Sequence, residues 1–139
     1  MSSIETEKRF FKLHEGRPHF AIVTIQVVLG TDQPEGIIDC SGNEWVWRGQ
    51  GDVDVITQIG FEDWKQAAVL GAKYALRHAN CSDCSVTITK IVGRDFTDTN
   101  PSIVVVVAAL AVWQALNYKP SKAEEKKLDD ILFNSWNLP

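Results

Sequence analysis

The sequence predicts a single two-layer α/β (α+β) sandwich, in which helices pack on one face of a mixed or mainly antiparallel sheet of about four strands. Three observations lead to this prediction. Apolar residues alternate with period two in much of the first half of the chain. The period then changes to helical spacing in "FEDWKQAAVLGAKYALRHAN". A length of 139 residues with 45% hydrophobic and 23% charged residues is ordinary for one globular domain.

The first half of the chain is predicted to contain three or four strands. Residues 1–18 are mixed and polar, so we expect a flexible N-terminal arm, anchored by Phe10, Phe11 and Leu13, before a domain spanning 19–139. "HFAIVTIQVVLG" is the clearest strand, because β-branched residues alternate through it and one face is wholly apolar. "IIDC", "EWVWRG" and "DVDVITQIG" are shorter candidates.

The middle of the chain predicts a helix followed by a strand. The helix carries a stripe of small residues, including Ala68, Gly71 and Ala75, which would allow it to approach the sheet closely. "SVTITKIVG" is the strand that follows, and Gly93 ends it.

The segment "NPSIVVVVAALAVWQALNY" is the most apolar of the chain, and its conformation is the least obvious. It is too short to span a membrane, which takes about 20 apolar residues. The four valines favour a strand, but Asn100-Pro101 is a helix start and the alanine-rich second half is a strong helix former. We therefore predict a helix over Pro101–Asn117.

A helix that is apolar on nearly all sides must be covered on nearly all sides. The expected cover is an additional C-terminal helix over residues 121–137, with Ser121 as its N-cap and a second subunit as the alternative cover. Its apolar stripe consists of Leu128, Ile131, Leu132 and Trp136.

With this element order, the chain from His19 to about Tyr118 resembles the fourth domain of translation elongation factor G, as a stand-alone domain. The matching stretches are "HFAIVTIQVVL", "AVLGAKYAL", "VTITKIVGRDFTDT" and "VVAALAVWQAL", in which Gly93, Asp98 and Ala108–Ala109 fit the family's pattern. The resemblance implies a core of three strands, helix, strand and helix with a left-handed crossover. The second domain of a small-subunit ribosomal protein and several kinases and isomerases share that fold.

The departures from the family concern its function. The chain has no P-loop "GxxxxGK[ST]" and lacks the glycine-rich loop that precedes the family's first strand. Where the family has a histidine in the tip that enters the decoding centre, the nearest residues here are Arg94, Asp95 and Phe96. The resemblance therefore implies the fold and does not imply a translocase.

Two stretches offer candidate binding residues. "GRDFTDT" carries Arg94, Asp95 and Asp98 beside a helix start, and it reads as a contact loop or, more simply, as a turn in which Asp98 or Thr99 caps the helix. "EWVWRG" places Trp45 and Trp47 on one strand face, next to Arg48. This arrangement is typical of a covered hydrophobic face or of an exposed binding face.

"CSDC" raises a metal or redox hypothesis for Cys81 and Cys84. Zinc usually takes four ligands, and the remaining cysteine and three histidines show no second matching pair. Redox motifs of this spacing lie at a helix start, whereas this one follows a helix, so a plain loop is the favoured interpretation. We expect no catalytic residues, no metal and no cofactor, since no nucleophile elbow or "HExxH" motif occurs.

Composition leaves a binding function as the main hypothesis. A net charge of −4 disfavours RNA as the main partner but does not exclude a small basic patch. The start of the chain lacks a signal peptide's apolar region and three cysteines suit a reducing compartment, so we expect a cytoplasmic protein without a membrane partner. The leading hypothesis is a non-catalytic protein-interaction or assembly module that binds a protein partner or self-associates. The alternatives are an RNA- or ribosome-associated domain and, third, a small enzyme that uses the open sheet face.

Overall fold

The computed structural model describes residues 3–29, 38–40, 54–55, 62–81, 84–93 and 98–134. Within these ranges the chain is an α+β structure of five strands and three helices, so the predicted fold class and the additional C-terminal helix are confirmed. In chain order the elements are β1 (Ser3–His14), β2 (Arg17–Leu29), β3 (Ile38–Cys40), β4 (Asp54–Val55), α1 (Glu62–His78), β5 (Cys84–Gly93), α2 (Pro101–Leu116) and α3 (Lys122–Phe133).

The sheet consists mainly of three long antiparallel strands, where the sequence predicted about four strands. Strand order is β1-β2-β5-β3, with β4 also paired to β5. β1 and β5 each pair antiparallel with β2, β3 runs parallel to β5, and β4 is antiparallel to β5. A register shift between Thr24 and Ile25 interrupts the β2–β5 pairing. The sheet is therefore mainly antiparallel with one short parallel pair.

The segment predicted to be a flexible arm is strand β1, and this prediction was wrong. Every residue from Ser3 to His14 pairs with β2, and Glu15 and Gly16 form the turn, both with positive φ. Positive φ suits glycine and is tolerated only occasionally by other residues. The alternation of β1 was not recognised because its two faces carry charges as well as apolar side chains. Ile4 and Phe10 pack against the core, whereas Phe11 and Leu13 do not.

One side of the sheet carries the core. Val23, Ile25 and Val27 of β2 and Val86 and Ile88 of β5 are fully buried there. α1 and α2 pack against each other and on this side of the sheet. A Cβ placed on Gly71 of α1 would overlap the carbonyl group of Val105 in α2, so the small-residue stripe brings the two helices together. This close approach is helix against helix rather than helix against sheet.

The valine-rich segment is helix α2, as predicted. Asn100 has extended backbone angles and its side chain accepts a hydrogen bond from the Ile103 N–H at 3.0 Å, which makes it the N-cap. Pro101 occupies the first turn, and Asn117 ends the helix in the left-handed conformation with φ 56°. The polar residues that bracket the apolar run therefore set both ends of the helix.

α2 is covered on several sides, as its composition requires. It contacts α1, β2, β1 and α3. Leu128 and Leu132 of α3 are buried and Ile131 is half-buried, while Trp136 lies outside the described residues. The C-terminal helix thus provides one part of the cover, and β1 provides another that the sequence did not predict. In the described part of the chain, we find no helix whose length and apolar character would suffice to cross the bilayer.

Candidate functional site

The side of the β1–β2 hairpin that faces away from the core carries two of the large apolar side chains that are exposed in the described part of the chain. The strand register places Phe11 opposite Phe20 and Leu13 opposite Pro18. Phe11 is 62% exposed and Leu13 is 60% exposed, although both are large apolar residues. The Phe11 and Phe20 rings lie 6.5 Å apart, tilted by 57°. We call these four residues, together with Arg9, the hairpin face.

An ion pair between Arg9 of the hairpin face and Glu7 lies on the same side of β1. Arg9 Nε lies 3.1 Å from Glu7 Oε2, and the two side chains are 73% and 40% exposed. Glu7 also accepts a hydrogen bond of 3.3 Å from the Thr24 hydroxyl of β2. An ion pair this exposed contributes little to stability. Its side chains can therefore exchange partners at small cost.

β1 is an edge strand of the sheet. It pairs with β2 on one side, and the strand order places no described strand on its other side. It is 12 residues long, contains no proline and has no register shift against β2. A long regular edge strand presents a row of backbone N–H and C=O groups that can pair with another chain. The edge and the hairpin face meet along β1.

The turn end of the hairpin is basic, although the whole chain carries a net charge of −4. Between residues 8 and 20 the charged side chains are Lys8, Arg9, Lys12 and Arg17 against Glu15 alone, a local charge of +3. Glu5 and Glu7 lie in the first half of β1, away from the turn. β1 therefore has an acidic first half and a basic second half.

The core side of the same turn end holds the end of α3. Phe133 stacks on His14, with ring centroids 4.2 Å apart, and Lys12 Nζ lies 4.7 Å from the Phe133 ring. His19 is buried and meets Phe133 edge-on at 6.1 Å. His19 Nδ1 lies 3.0 Å from the Arg17 carbonyl oxygen, which requires the proton on that nitrogen. These contacts fix the hairpin on α3. On its other side Phe11 and Leu13 are exposed, whereas Ile22 and Thr24 are buried.

Glu124, at the start of α3, is held by several hydrogen bonds. It accepts from the Ser121 N–H at 2.7 Å, from the Tyr118 hydroxyl at 2.8 Å, and its Oε2 lies 2.7 Å from His78 Nδ1. The Ser121 hydroxyl in turn accepts from the Glu124 N–H, which completes a capping box. Hydrogen bonding, first from the Ser121 backbone and then from Tyr118 and His78, lowers the pKa of Glu124.

The Glu124 cluster contains a carboxylate, an imidazole and a phenol, a combination that acid–base catalysis can use. The same hydrogen bond to Glu124 raises the pKa of Tyr118, with burial as a smaller cause. A phenol with a raised pKa and a carboxylate with a lowered pKa are both held in their resting protonation states. We therefore interpret the cluster as the junction that ties α3 to the ends of α1 and α2.

Most of the binding residues predicted from the sequence lie outside the described residues. These are Arg94, Asp95, Trp45, Trp47 and Arg48, and their predicted roles stay predictions. Asp98 is described, and its carbonyl accepts a 2.8 Å hydrogen bond from the Phe20 N–H. The Thr99 hydroxyl donates to the Phe20 carbonyl at 2.5 Å. Neither caps α2, since Asn100 does so, and both instead form hydrogen bonds with Phe20 of β2.

The cysteines of "CSDC" are joined. Cys81 follows α1, Cys84 begins β5, and the two form a disulfide with their Cα atoms 6.1 Å apart. The sequence favoured a plain loop here, and the expectation that three cysteines suit a reducing compartment did not predict this disulfide. In the described ranges, no three His, Cys, Asp or Glu residues gather in a way that could hold a metal ion.

The hairpin face was missed by the sequence interpretation because its residues were assigned to the arm. Phe10 and Phe11 were both treated as anchors, and only the strand alternation separates them: Phe10 packs on the core and Phe11 does not. The available signal was the segment "SIETEKRFFKLHEGRPHF", in which Glu15-Gly16 divides two stretches that can pair. That pattern is typical of a hairpin.

Comparison with known proteins supports the fold alone. A crystal structure of a Thermus thermophilus protein, whose name states no function, is similar with a TM-score of 0.60 and 11% identity. The match covers 84% of this chain and 16% of that one. The mevalonate kinase of Methanococcus jannaschii matches at TM-score 0.44 and 16% identity over 96% of this chain and 46% of that one, and a second mevalonate kinase structure matches at the same TM-score and identity.

The first similarity supports the α+β fold, and the two kinase similarities are too low to carry an argument. The chain spans less than half the length of each of these three proteins. No protein-family model matches the sequence, and no curated protein matches it. The relation to the fourth domain of elongation factor G beyond the shared fold class stays a prediction.

Proposed function

We propose that this chain is a non-catalytic protein-interaction or assembly module whose binding surface is the hairpin face and the adjoining edge of β1. The observation that carries the proposal is the exposure of Phe11 and Leu13, at 62% and 60%, on one side of one strand. Single exposed apolar residues are ordinary in soluble proteins. Two neighbours on the same face of a strand that has no described strand on its outer edge form a patch, and such patches mark interaction sites.

The residue types of the hairpin face suit a protein partner. Aromatic side chains and arginine dominate the binding energy of protein interfaces, and the face combines Phe11, Phe20 and Arg9. The turn end is also held in place, because Phe20 is hydrogen-bonded to Asp98 and Thr99 and the core side is packed on Phe133. A pre-organised surface loses less conformational entropy when it binds.

A photo-cross-linking residue at position 11 tests this proposal. Phe11 is replaced by benzoylphenylalanine in the full chain, expressed in the cells that naturally make it, and irradiated. Leu70 gives a matched control, because it is a large apolar residue of α1 that is 61% exposed. The expected result is a polypeptide adduct at position 11, with this chain itself or with another, and little at position 70. No polypeptide adduct at position 11, or equal labelling at both positions, would overturn the proposal.

An RNA- or ribosome-associated domain is the second candidate, and the basic turn end is the observation that favours it. Arg9 lies on the same side of the hairpin as the exposed Phe11, and Lys8, Lys12 and Arg17 add positive charge on the other side of the same turn end. Single-stranded nucleic acid binds to cationic grooves with aromatic rings. Binding of a labelled single-stranded RNA should then weaken steeply with salt and fall in Arg9→Ala, but not in Lys126→Ala on α3. Absence of binding at low salt rejects this candidate.

A further inference from the structure

We infer that the partner of the hairpin is a second copy of this chain, whose β1 pairs antiparallel with the first β1 so that the two sheets become one. The inference rests on the proposed function, since it names the occupant of the same strand. It places a two-fold axis at Lys8, perpendicular to the sheet. Three features support it: the geometry of the edge, the distribution of charge along β1 and the register that these two allow.

The geometry of β1 permits pairing over its whole length. Its 12 residues extend over roughly 40 Å at the usual rise of a strand. All 12 residues of β1 pair one to one with β2, so no bulge interrupts β1 along its length. Natural edges are commonly blocked by proline, by a bulge or by short length. β1 has none of these three features, whereas the register shift of the sheet lies between β2 and β5.

The charge of β1 is self-complementary when a second copy runs in the opposite direction. The acidic residues Glu5 and Glu7 precede the basic residues Lys8, Arg9 and Lys12. Antiparallel pairing therefore places the acidic half of each copy beside the basic half of the other. Opposite charges directly across a strand pair stabilise it, and like charges destabilise it.

The sheet faces restrict the register. In an antiparallel pair of identical strands, the numbers of any two opposed residues have the same sum, and this sum defines the register. A two-fold axis perpendicular to the sheet keeps core-facing residues opposite core-facing residues, so the sum must be even. A sum of 14 sets Glu7 against Glu7 of the second copy, and a sum of 18 sets Arg9 against Arg9. A sum of 16 sets Glu7 against Arg9 twice, once on each side of the axis. The ion pair that each copy forms internally, at 3.1 Å between exposed side chains, can be exchanged for these two.

The same register has one unfavourable contact, Lys8 against Lys8 at the axis. Lys8 is half-buried on the core side of β1, and a lysine on an edge strand is a known means of preventing pairing. Substitution at this position should therefore change self-association in a defined direction. Lys8→Thr removes the repulsion at the axis, adds a good strand former and should tighten self-association, whereas Lys12→Thr, on the same side but away from the axis, should change it little.

Charge reversal tests the pairing with purified full-length protein, by sedimentation velocity and native mass spectrometry. Glu7→Arg alone sets arginine against Arg9, and Arg9→Glu alone sets glutamate against Glu7. Each variant should dimerise at least about tenfold more weakly than the wild type, because two attractive pairs become repulsive. An equimolar mixture of the two variants should form a 1:1 heterodimer, and the double variant Glu7→Arg/Arg9→Glu should recover a homodimer.

Lys8→Cys reports the register in a second way. In a Cys40→Ser background, Lys8→Cys should form a disulfide with the second copy under mild oxidation, since residues opposed at the axis are within cross-linking distance. Lys12→Cys is the control, because its opposite residue in this register is Ile4. Cross-linking at 12 but not at 8 contradicts the register. Circular dichroism of each variant establishes that it is folded.

Three outcomes separate this inference from the proposed function. A heterodimer in the mixture supports self-pairing, and a polypeptide adduct at position 11 supports the proposed function. A wild type that stays monomeric at millimolar concentration, or a mixture that stays monomeric, overturns self-pairing; adducts of Phe11 with another polypeptide would then still support the interaction module. Absence of any polypeptide adduct at position 11 overturns the proposed function, whatever the mixture shows.

Discussion

The two sides of the β1–β2 hairpin differ in what covers them. On the core side, Val23, Ile25 and Val27 are fully buried, and His14 and His19 hold Phe133 of α3. On the other side, Phe11 and Leu13 are more exposed than covered. Because neighbouring residues of a strand point to opposite sides, one strand can stabilise the fold and present a binding surface at once. Substitutions on the two sides should therefore change different measurements.

The largest expected loss of stability is for Trp113→Ala in the buried core helix α2. Trp113 is 2% exposed, packs between Tyr74 and Tyr118, and donates a 3.0 Å hydrogen bond to the Ala75 carbonyl. Removing a buried tryptophan usually costs about 3–5 kcal/mol of unfolding free energy. Phe11→Ala should change the same quantity by no more than about 0.5 kcal/mol, as is usual at exposed positions. Urea denaturation of both variants compares the buried core with the exposed hairpin face, and equal losses would contradict the distinction.

Gly71→Ala tests the close contact between α1 and α2. The added methyl group would overlap the Val105 carbonyl, so one of the helices must move. Overpacking of this kind usually costs about 1–3 kcal/mol, even though alanine is the better helix former. Lys73→Ala, at an exposed position of the same helix, is the matched control and should be nearly neutral. A stabilised Gly71→Ala variant in thermal denaturation would show that the helices are not in close contact.

Asn100→Ala should cost about 1 kcal/mol, because α2 loses the side chain that caps its first turn. Asn100→Ser and Asn100→Asp keep a side-chain acceptor and should retain most of the stability. Urea denaturation of the three variants separates the loss of stability due to the missing cap from the general effect of a substitution at this half-buried site. Equal losses in all three variants would argue against capping.

The smallest effect on stability should come from the Glu124 junction, and it should depend on pH. The pKa of Glu124 is lowered in the folded state, mainly by the Ser121 backbone N–H. The contribution of Glu124 to the free energy of unfolding is then fully present above the pKa that its carboxyl has in the unfolded chain. It is lost as the pH falls through the lower pKa of the folded state. Wild type should therefore exceed Glu124→Gln in stability at pH 7, and the difference should shrink as the pH is lowered through that range. A difference that does not change between neutral and acidic pH would contradict this assignment.

Local signals made parts of the fold predictable from sequence. The ends of α2 are set by Asn100, Pro101 and Asn117, which act within one turn of the helix, so "NPSIVVVVAALAVWQALN" was sufficient to predict it. The capping box of α3 is equally local, and Ser121 was predicted as its N-cap. The strand β2 was clear because its core-side residues from Ala21 to Leu29 are uniformly apolar.

β1 and the hairpin face could not be predicted from the same kind of signal. An edge strand that is exposed on one side needs no apolar alternation, and the charges of "IETEKR" made it look like a solvated arm. Whether Phe11 or Phe10 is exposed depends on which side the helices cover, and that is a property of the tertiary structure. The hydrogen bonds between Phe20 and the segment Asp98–Thr99 likewise join residues far apart in sequence.

Hydrogen exchange of the backbone amides of β1 tests whether its outer edge, beside which no described strand lies, is occupied in the functional protein. Deuterium uptake of residues 3–14 is measured on the wild-type chain over a wide range of protein concentration, with β5 as the internal reference. We predict that β1 exchanges more slowly as the concentration rises, while β5 does not change, and that Arg9→Glu removes the protection. Exchange of β1 that is independent of concentration up to the millimolar range would contradict self-pairing through this strand.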